Sequence, residues 1–168
     1  MTEAEYLALP EEKPYLEYVD GLVLQKPMPN DDHAGLIAEL ALILGLYRRT
    51  RGGLVRVEMR TRFPDGSYRI PDASYWAPAQ PSGDDSIPTL AVEVRSPDQT
   101  MDELRAKCRF YRRNGVGACW LIDPESRTVE VFEGEADGEA FAAEGTLQSV
   151  LLPGFSLALK DLFAVLDR

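Results

Sequence analysis

Three charged residues near the middle of the chain have types and spacing that suit them to act together. Asp72 stands where one predicted strand begins, and Glu93 is the only acidic residue of the apolar strand 90–94. Twenty residues separate the two carboxylates, yet paired strands would bring them together. Mg²⁺ binds oxygen ligands of this kind, usually one or two carboxylates with water and phosphate. Lys107, on the next predicted helix, adds a cation, so the pattern indicates a magnesium site.

Two of these residues also have a purely structural interpretation. Glu93 could pair with a neighbouring arginine on a half-exposed strand face, because an unpaired carboxylate on a central strand would cost several kcal/mol. Lys107 shares a helix face with Glu103 and Tyr111, four residues away on either side. It could therefore form only a surface pair that contributes a few tenths of a kcal/mol. The residue pattern alone leaves both alternatives open.

The strand pattern indicates how Asp72 would be placed. Residues 54–63 and 68–76 alternate between apolar and polar side chains on either side of a turn, which predicts two antiparallel strands. Pro71 has no amide hydrogen to give to a strand ladder, so it marks a bulge or a sheet edge that aims Asp72. The stretch 78–88 is rich in Pro, Ser, Gly and Asp, and we expect a long irregular loop there, near the site.

The remaining elements are predicted from apolar periodicity, capping residues and turn residues. They are a short helix over 3–8, a hairpin over 15–26, a helix from Asp31 or Asp32 to Arg51, a helix from Asp98 or Thr100 to Asn114, strands over 118–122, 127–133, 147–152 and 155–159, and a terminal helical segment over 161–166. Residues 134–145 are small and acidic, which predicts a surface turn or ribbon. Leu42 and Leu46 give the long helix a second apolar face, which predicts additional cover or a subunit contact.

Two further charged or titratable residues each have a structural and a functional interpretation. Glu17 lies on the first strand of the predicted hairpin, where it is either an exposed strand carboxylate or a flank of the site. His33, the only histidine, falls in the first turn of the long helix. It could serve as a cap or a packed ring, or as a ligand or base. The sequence leaves both choices open.

Length and composition predict one domain with a single core. A chain of 168 residues can bury most of its apolar surface without staples. The two cysteines, Cys108 and Cys119, fall in a predicted helix and a predicted strand, and no secretory signal is recognisable. We therefore expect a cytoplasmic protein with reduced thiols. The longest apolar run, 36–46, is too short for a membrane span and contains a glutamate.

The charge of the chain is unevenly distributed. A net charge of −10 and a pI near 4.6 argue against a protein that coats nucleic acid, because such proteins cluster positive charge. Residues 48–113, however, carry thirteen Lys and Arg against nine Asp and Glu. The positive charge thus lies around the proposed site, although solvated faces often carry arginines as well.

Several short motifs, taken in order, resemble one known family. They are Leu-Glu-Tyr-Val-Asp-Gly at 16–21, His33 before the long helix, Pro71-Asp72, Val-Glu-Val-Arg-Ser-Pro at 92–97, Lys107 with Tyr111, Gly115-Val116, and Trp-Leu-Ile-Asp-Pro at 120–124. From about residue 15 onward the chain resembles the Uma family of restriction endonuclease-like proteins, within the PD-(D/E)XK nuclease superfamily.

The resemblance implies an α/β (α+β) fold with an α-β-β-β-α-β core. In that fold a mixed central sheet is flanked by helices, with an N-terminal hairpin and C-terminal strands added. We expect a single restriction endonuclease-like domain over 1–168. It would comprise a helix and hairpin in 1–30, the nuclease core in 31–134, and strands and a short helix in 135–168.

The resemblance also implies roles for individual residues. Asp72 and Glu93 would bind the divalent ion, with the carbonyl of Val94 as a further ligand. The superfamily lysine stands two positions after the second carboxylate, where this chain has Arg95. Arginine can hold a phosphate bidentately but cannot act as a base. Lys107 is therefore the expected replacement, orienting the attacking water or stabilising charge on the phosphoryl oxygens.

Glu17, His33 and Tyr111 also match positions of the family. We expect Glu17 to complete the catalytic set, and His33 and Tyr111 to join Arg95 in binding substrate. The expected function is a Mg²⁺-dependent endonuclease, with Mn²⁺ as a substitute, that cuts DNA as a twofold homodimer. Two alternatives remain open. One is a non-catalytic module that keeps the fold for protein contacts, and the other is a hydrolase of RNA or small phosphodiesters.

Overall fold

The secondary structure alternates short strands with two long helices. The computed structural model describes residues 1–81 and 83–167. In chain order the elements are α1 (Glu3–Leu7), β1 (Leu16–Val19), β2 (Leu22–Gln25), α2 (Asp31–Arg51), β3 (Leu54–Val57), β4 (Thr61–Arg62), β5 (Tyr68–Arg69), β6 (Ala73–Trp76), β7 (Leu90–Val94), α3 (Met101–Arg113), β8 (Ala118–Asp123), β9 (Thr128–Glu133), β10 (Ala136–Ala142), β11 (Thr146–Leu147), β12 (Leu157–Ala158) and α4 (Leu159–Phe163), with a 3₁₀ turn at Ala164–Leu166. None of the helices within these ranges has the length and hydropathy to cross a membrane.

A six-stranded sheet in the order β10-β9-β8-β7-β6-β3 forms the centre of the molecule. Only the β7–β8 pair is parallel, and α3 makes the crossover between these two strands. The elements α2-β3-β6-β7-α3-β8 thus give the expected α-β-β-β-α-β order. The predicted fold class, a mixed sheet flanked by helices, is confirmed.

Each face of this sheet is covered by one of the long helices. On one face α2 buries Leu36, Leu40 and Leu44 against the sheet, and α4 packs beside it. On the other face α3 buries Leu104 and Cys108, two residues of its apolar stripe. Strands β7 and β8 are buried along their whole length, as expected for strands covered on both sides.

The caps of the two long helices differ in how well the sequence predicts them. Thr100 caps α3 and forms a capping box with Glu103, one of the two predicted solutions. The cap of α2 is Asn30, whose side-chain oxygen accepts from the amide of His33. The prediction of Asp31 or Asp32 as the cap was therefore wrong by one or two residues, and both aspartates lie in the first turn, where negative charge favours a helix.

The predicted strand over 54–63 is in fact two strands of different sheets. β3 pairs with β6 in the central sheet, whereas β4 pairs with β5 in a separate sheet of order β2-β1-β5-β4. Glu58 separates the two strands in a left-handed conformation with φ of 50°. Its amide donates to the carbonyl of Asp72 at 3.2 Å, so the break in the strand lies beside the proposed site.

The N-terminal hairpin forms as predicted and is held against the rest of the chain. Asp20 and Gly21 both have positive φ, at 51° and 77°, as a two-residue hairpin turn requires. Tyr18 pairs with Tyr68 across β1 and β5, and the ring of Tyr6 stacks on Tyr18 at 5.2 Å. These contacts join the hairpin to β5 and to α1.

The C-terminal strands are shorter than predicted. Only residues 146–147 and 157–158 pair as strands, so the expectation of strands over 147–152 and 155–159 was wrong in extent. Leu152 and Phe155 instead pack into the core from turns. The acidic stretch after β9 contains β10, which pairs with β9 along the sheet edge as an exposed ribbon.

Gly53 lies where the chain passes closely over β6, so its replacement is expected to destabilise the fold. It has φ of 94°, and a Cβ there would overlap the carbonyl oxygen of Trp76 and approach the hydroxyl of Tyr75 to 2.6 Å. We expect Gly53→Ala to lower the free energy of unfolding by about 3 kcal/mol, measured by urea denaturation. Gly66→Ala is the control, because Gly66 has φ of 85° but open space around it, and about 1 kcal/mol is expected. Equal losses would exclude the steric explanation.

Candidate active site

Asp72 is buried at the start of β6 and is surrounded by hydrogen-bond donors. Its Oδ2 accepts from the backbone amide of Val94 at 2.8 Å and lies 3.2 Å from Nε2 of His33. Its Oδ1 accepts from Nζ of Lys26 at 2.9 Å. Burial alone would raise the pKa of Asp72, but the lysine charge and the histidine hydrogen bond outweigh burial and hold the pKa below its usual range. Asp72 is therefore an anion near neutral pH.

Glu93 lies beside Asp72 on the neighbouring strand. Asp72 immediately precedes β6, and Ala73 is paired with Val92 in the antiparallel ladder. The same register, continued by one residue, would place Asp72 opposite Glu93. Side chains opposite each other in such a pair project from the same face of the sheet. The prediction that paired strands bring the two carboxylates together is consistent with this register.

The carboxylate of Glu93 is completely enclosed and is held by α3. Its Oε1 accepts from the hydroxyl of Tyr111 at 2.7 Å and lies 3.0 Å from Nζ of Lys107. Burial raises the pKa of Glu93, and Lys107 opposes that rise while the charge of Asp72 adds to it. Glu93 thus pairs with a lysine in the interior, and the alternative of an arginine pair on a half-exposed face was wrong.

Lys107 and Glu17 form a second buried pair. Nζ of Lys107 lies 2.9 Å from Oε1 of Glu17, which also accepts from the amide of Ile70 at 2.7 Å. Burial would lower the pKa of Lys107, but Glu17 and Glu93 raise it, so the side chain stays protonated. Burial alone would raise the pKa of Glu17. The charges of Lys107, Lys26 and Arg69 outweigh burial and bring the pKa below its usual value.

The surface interpretations of these two residues are therefore excluded. Lys107 is 8% exposed and Glu17 is 4% exposed, so neither is a surface group. The helical spacing of Lys107 from Glu103 gives no hint of this burial, because the hairpin that covers α3 comes from a distant part of the chain. The hairpin brings Glu17 to the site, and α3 brings Lys107.

Lys26 belongs to this cluster although the sequence analysis assigned it no role. Its ammonium donates to the carbonyl of Ile70 at 2.6 Å and to Asp72, and its side chain is 10% exposed. The pairing register of the hairpin could have indicated that Lys26 belongs to the site. Glu17 is opposite Leu24, so Lys26, two residues beyond Leu24, projects from the same side of the hairpin as Glu17.

The three residues expected at the substrate have different environments. His33 contacts Asp72 through Nε2, and its Nδ1 is buried with no hydrogen-bond partner among the described residues. Tyr111 is fully buried beneath Glu93, where it positions the carboxylate. Arg95 lies outside the cluster, because its guanidinium bonds to Asp123 at 3.2 Å and Glu125 at 2.8 Å.

Two cavities lead to the buried charges. A small one of about 10 Å³, close to the space that one water needs, is lined by Asp72, Glu93, His33 and Glu58. A wider groove of about 890 Å³ runs between the hairpin and α3, and Lys107 lines it. Lys26, Pro27 and Gln99 line both cavities, so the lysine lies at the junction between them.

The donor set suits a divalent ion that takes few protein ligands. Within 1–81 and 83–167, no three His, Cys, Asp or Glu side chains converge as a ready metal cage. Mg²⁺ does not need such a cage, since it commonly binds one or two carboxylates and keeps water and phosphate as its other ligands. Asp72 and Glu93, which line one cavity of ion size, supply the carboxylates.

A mixed sheet with two acids on adjacent central strands and a lysine on the following helix defines a protein of the restriction endonuclease-like class. The chain belongs to the Uma2 family, described as putative restriction endonuclease, which matches residues 3–160. Members of that class generally use divalent metal ions.

The comparison with solved structures agrees with the family. A crystallised putative nuclease of the DUF820 group from Anabaena variabilis ATCC 29413 is similar, with a TM-score of 0.88, 27% identity, and 99% of each chain covered. A weaker likeness, with a TM-score of 0.45 and 14% identity, covers 62% of this chain and 9% of a chain in the DrdV–DNA complex. No curated protein matches the sequence.

Proposed function

We propose that this nuclease-family protein is a divalent-metal-dependent endonuclease that hydrolyses phosphodiester bonds of DNA. One observation carries the proposal: Asp72 and Glu93 lie on adjacent strands and line one cavity, while Lys107 is bonded to Glu93. Paired carboxylates can hold the ion that metal-assisted phosphodiester hydrolysis uses, and a neighbouring ammonium can stabilise the charge that develops on the phosphate. The family and the nuclease with 27% identity support the reaction class.

Asp72, Glu93 and the carbonyl of Val94 are the groups proposed to hold Mg²⁺ or Mn²⁺. When bound, the ion supplies Lewis-acid chemistry, polarising the phosphoryl oxygens and making a water more acidic. The contribution of the chain is to hold its own acids in place. The amide of Val94 and the ring of His33 fix the orientation of Asp72, and the hydroxyl of Tyr111 fixes that of Glu93.

Lys107 is proposed to place positive charge where negative charge develops on the phosphate. Its ammonium is already oriented by Glu17 and Glu93, so little reorganisation is needed during the reaction. The raised pKa of Lys107 means that it acts as a cation and hydrogen-bond donor rather than as a base. The proposed role of Glu17 in the catalytic set is to hold the ammonium of Lys107.

The groove between the hairpin and α3 is the proposed route for the DNA backbone. Arg69 and Arg113 line it together with Lys26 and Lys107, which gives the phosphates cationic partners. Cutting both strands takes two sites, so a twofold homodimer is proposed. Leu42 and Leu46, which are 56% and 52% exposed on α2, offer apolar surface for a second copy.

One observation favours a second candidate, a non-catalytic module that keeps the fold for protein contacts. The buried acids Glu17, Asp72 and Glu93 are matched by Lys26, Arg69 and Lys107, so the cluster is neutral without any ion. The net charge of −10 also fits a protein surface better than a nucleic-acid partner. The two candidates differ in whether the protein binds Mn²⁺ and cuts DNA.

Metal removal gives a direct test of the proposed function. The purified protein is expected to nick supercoiled plasmid with Mg²⁺ or Mn²⁺, at least about a hundredfold faster than in excess EDTA, because the ion supplies the Lewis-acid chemistry. Gel electrophoresis of the relaxed product measures the rate. Single-stranded RNA of similar length, assayed in parallel, tests the substrate. Nicking that persists unchanged in EDTA would contradict the proposal, and preference for RNA would correct the substrate.

A further inference from the structure

Lys26 is a buried cation that lines the groove, and the proposed hydrolysis does not account for its contact with Asp72. Two of its three N–H donors are engaged, one by the carbonyl of Ile70 at 2.6 Å and one by Oδ1 of Asp72 at 2.9 Å. A carbonyl and a carboxylate oxygen are also what a hard divalent ion binds. The ammonium thus occupies a position of the kind that a metal ion would take.

The same contacts make simultaneous occupancy unfavourable. Lys26 and an ion on Asp72 would both be positive, close together and shielded from solvent, where Coulomb repulsion is strong. Asp72 has no second oxygen to offer, because its Oδ2 is already shared by Val94 and His33. Repulsion from an ion bound at Oδ1 would therefore favour displacement of the ammonium.

The ammonium of Lys26 has space to move into. Its side chain lines both the small cavity that contains Asp72 and the wide groove beside Lys107. It stands just beyond the last residue of β2, and its flexible four-carbon stem can swing the ammonium by rotation of side-chain bonds alone. Displacement therefore does not require the hairpin to unfold or the sheet ladder to break.

We propose that Lys26 is a resident counter-ion of Asp72 that competes with the divalent ion and moves into the groove when the ion binds. The inference rests on the proposed metal-dependent function and adds the residue that limits metal affinity. Lys26 stabilises the metal-free protein by neutralising a buried carboxylate, at the expense of metal binding. The displaced ammonium then adds to the positive charge of the groove.

Calorimetric titration with Mn²⁺, without DNA, tests the competition. Lys26→Met keeps the length of the stem and removes the charge, so its Kd for Mn²⁺ is expected to be at least about tenfold lower than that of the parent. Lys160→Met is the matched control, because Lys160 is exposed on α4 and its replacement removes the same charge. The control is expected to stay within about twofold of the parent.

A second measurement uses the parent protein, so it does not depend on the folding of a variant. Brief acetylation with an amine-reactive ester, followed by peptide mass spectrometry, reports how accessible each lysine is. Modification of Lys26 is expected to rise about fivefold or more when Mn²⁺ is saturating, because buried, bonded ammonium groups react slowly and displaced ones react freely. Modification of Lys160 should not change.

The outcomes separate this inference from the proposed function. If the parent binds Mn²⁺, but Lys26→Met binds it no more tightly and Lys26 stays protected, the competition is refuted and the metal site stands. If neither the parent nor Lys26→Met binds Mn²⁺, the proposed metal-dependent function and the competition by Lys26 are both refuted. Tighter binding by the variant with metal-induced exposure of Lys26 supports both.

Discussion

Asp72→Asn and Glu93→Gln are each expected to reduce plasmid nicking by about a hundredfold or more. Both substitutions keep the shape of the side chain and an oxygen that accepts the hydrogen bonds from Val94 and Tyr111. They remove the negative charge that would hold the divalent ion. The loss should therefore appear in cleavage and in Mn²⁺ binding alike, measured by plasmid relaxation and by calorimetry.

A change of overall charge or a loss of folding must be separated from a loss of the site. Glu135→Gln removes the same charge from an exposed position between β9 and β10, so it is expected to cleave at the parent rate. Circular dichroism of each variant reports folding. Nicking by folded Asp72→Asn at the parent rate would eliminate this carboxylate as a ligand, and with it the proposed mechanism.

Lys107→Met is expected to lose both stability and activity, for different reasons. Removal of the ammonium leaves the buried Glu17 and Glu93 without their shared partner, so the free energy of unfolding should fall by about 3–5 kcal/mol near neutral pH. Cleavage should fall by about a hundredfold or more, because no cation then faces the charge that develops on the phosphate. Urea denaturation and plasmid relaxation measure the two effects.

The double variant Lys107→Met/Glu17→Gln separates these roles. It removes a positive and a negative charge together, so much of the lost stability is expected to return, while cleavage stays low. Glu17→Gln alone shows what the glutamate contributes on its own. Recovery of cleavage in the double variant to the level of Glu17→Gln would mean that Lys107 only balances charge and takes no part in the reaction.

The positions of the two carboxylates on neighbouring strands could be predicted from the sequence. The alternation that places Asp72 at a strand start and the apolar strand that isolates Glu93 are local patterns, and both survive in the structure. Local patterns were insufficient for Lys107. Its burial depends on a hairpin some eighty residues earlier in the chain, and helical spacing carries no information about that contact. The residue pattern left a surface pair open for Lys107, and the resemblance to a family favoured the site.

Other features could not be predicted because they depend on contacts between distant parts of the chain. Arg95 stands two residues after Glu93, but the chain has left the strand there, and its guanidinium pairs with Asp123 at the end of β8 and with Glu125 in the following turn. The strand pattern of 54–63 continues through Glu58, whereas the backbone turns and its two halves join different sheets. A periodicity of two identifies extended chain, but it does not tell which neighbour each half will pair with.

The segment between β3 and β6 contains β4 and β5, which belong to the four-stranded sheet of the hairpin. Two short stretches, 58–60 and 70–72, therefore connect that sheet to the central sheet. The second stretch ends at Asp72. Glu17 and Lys26, on the hairpin, form ion pairs with Lys107 on α3 and with Asp72. The charged cluster is therefore also part of what holds the two sheets together.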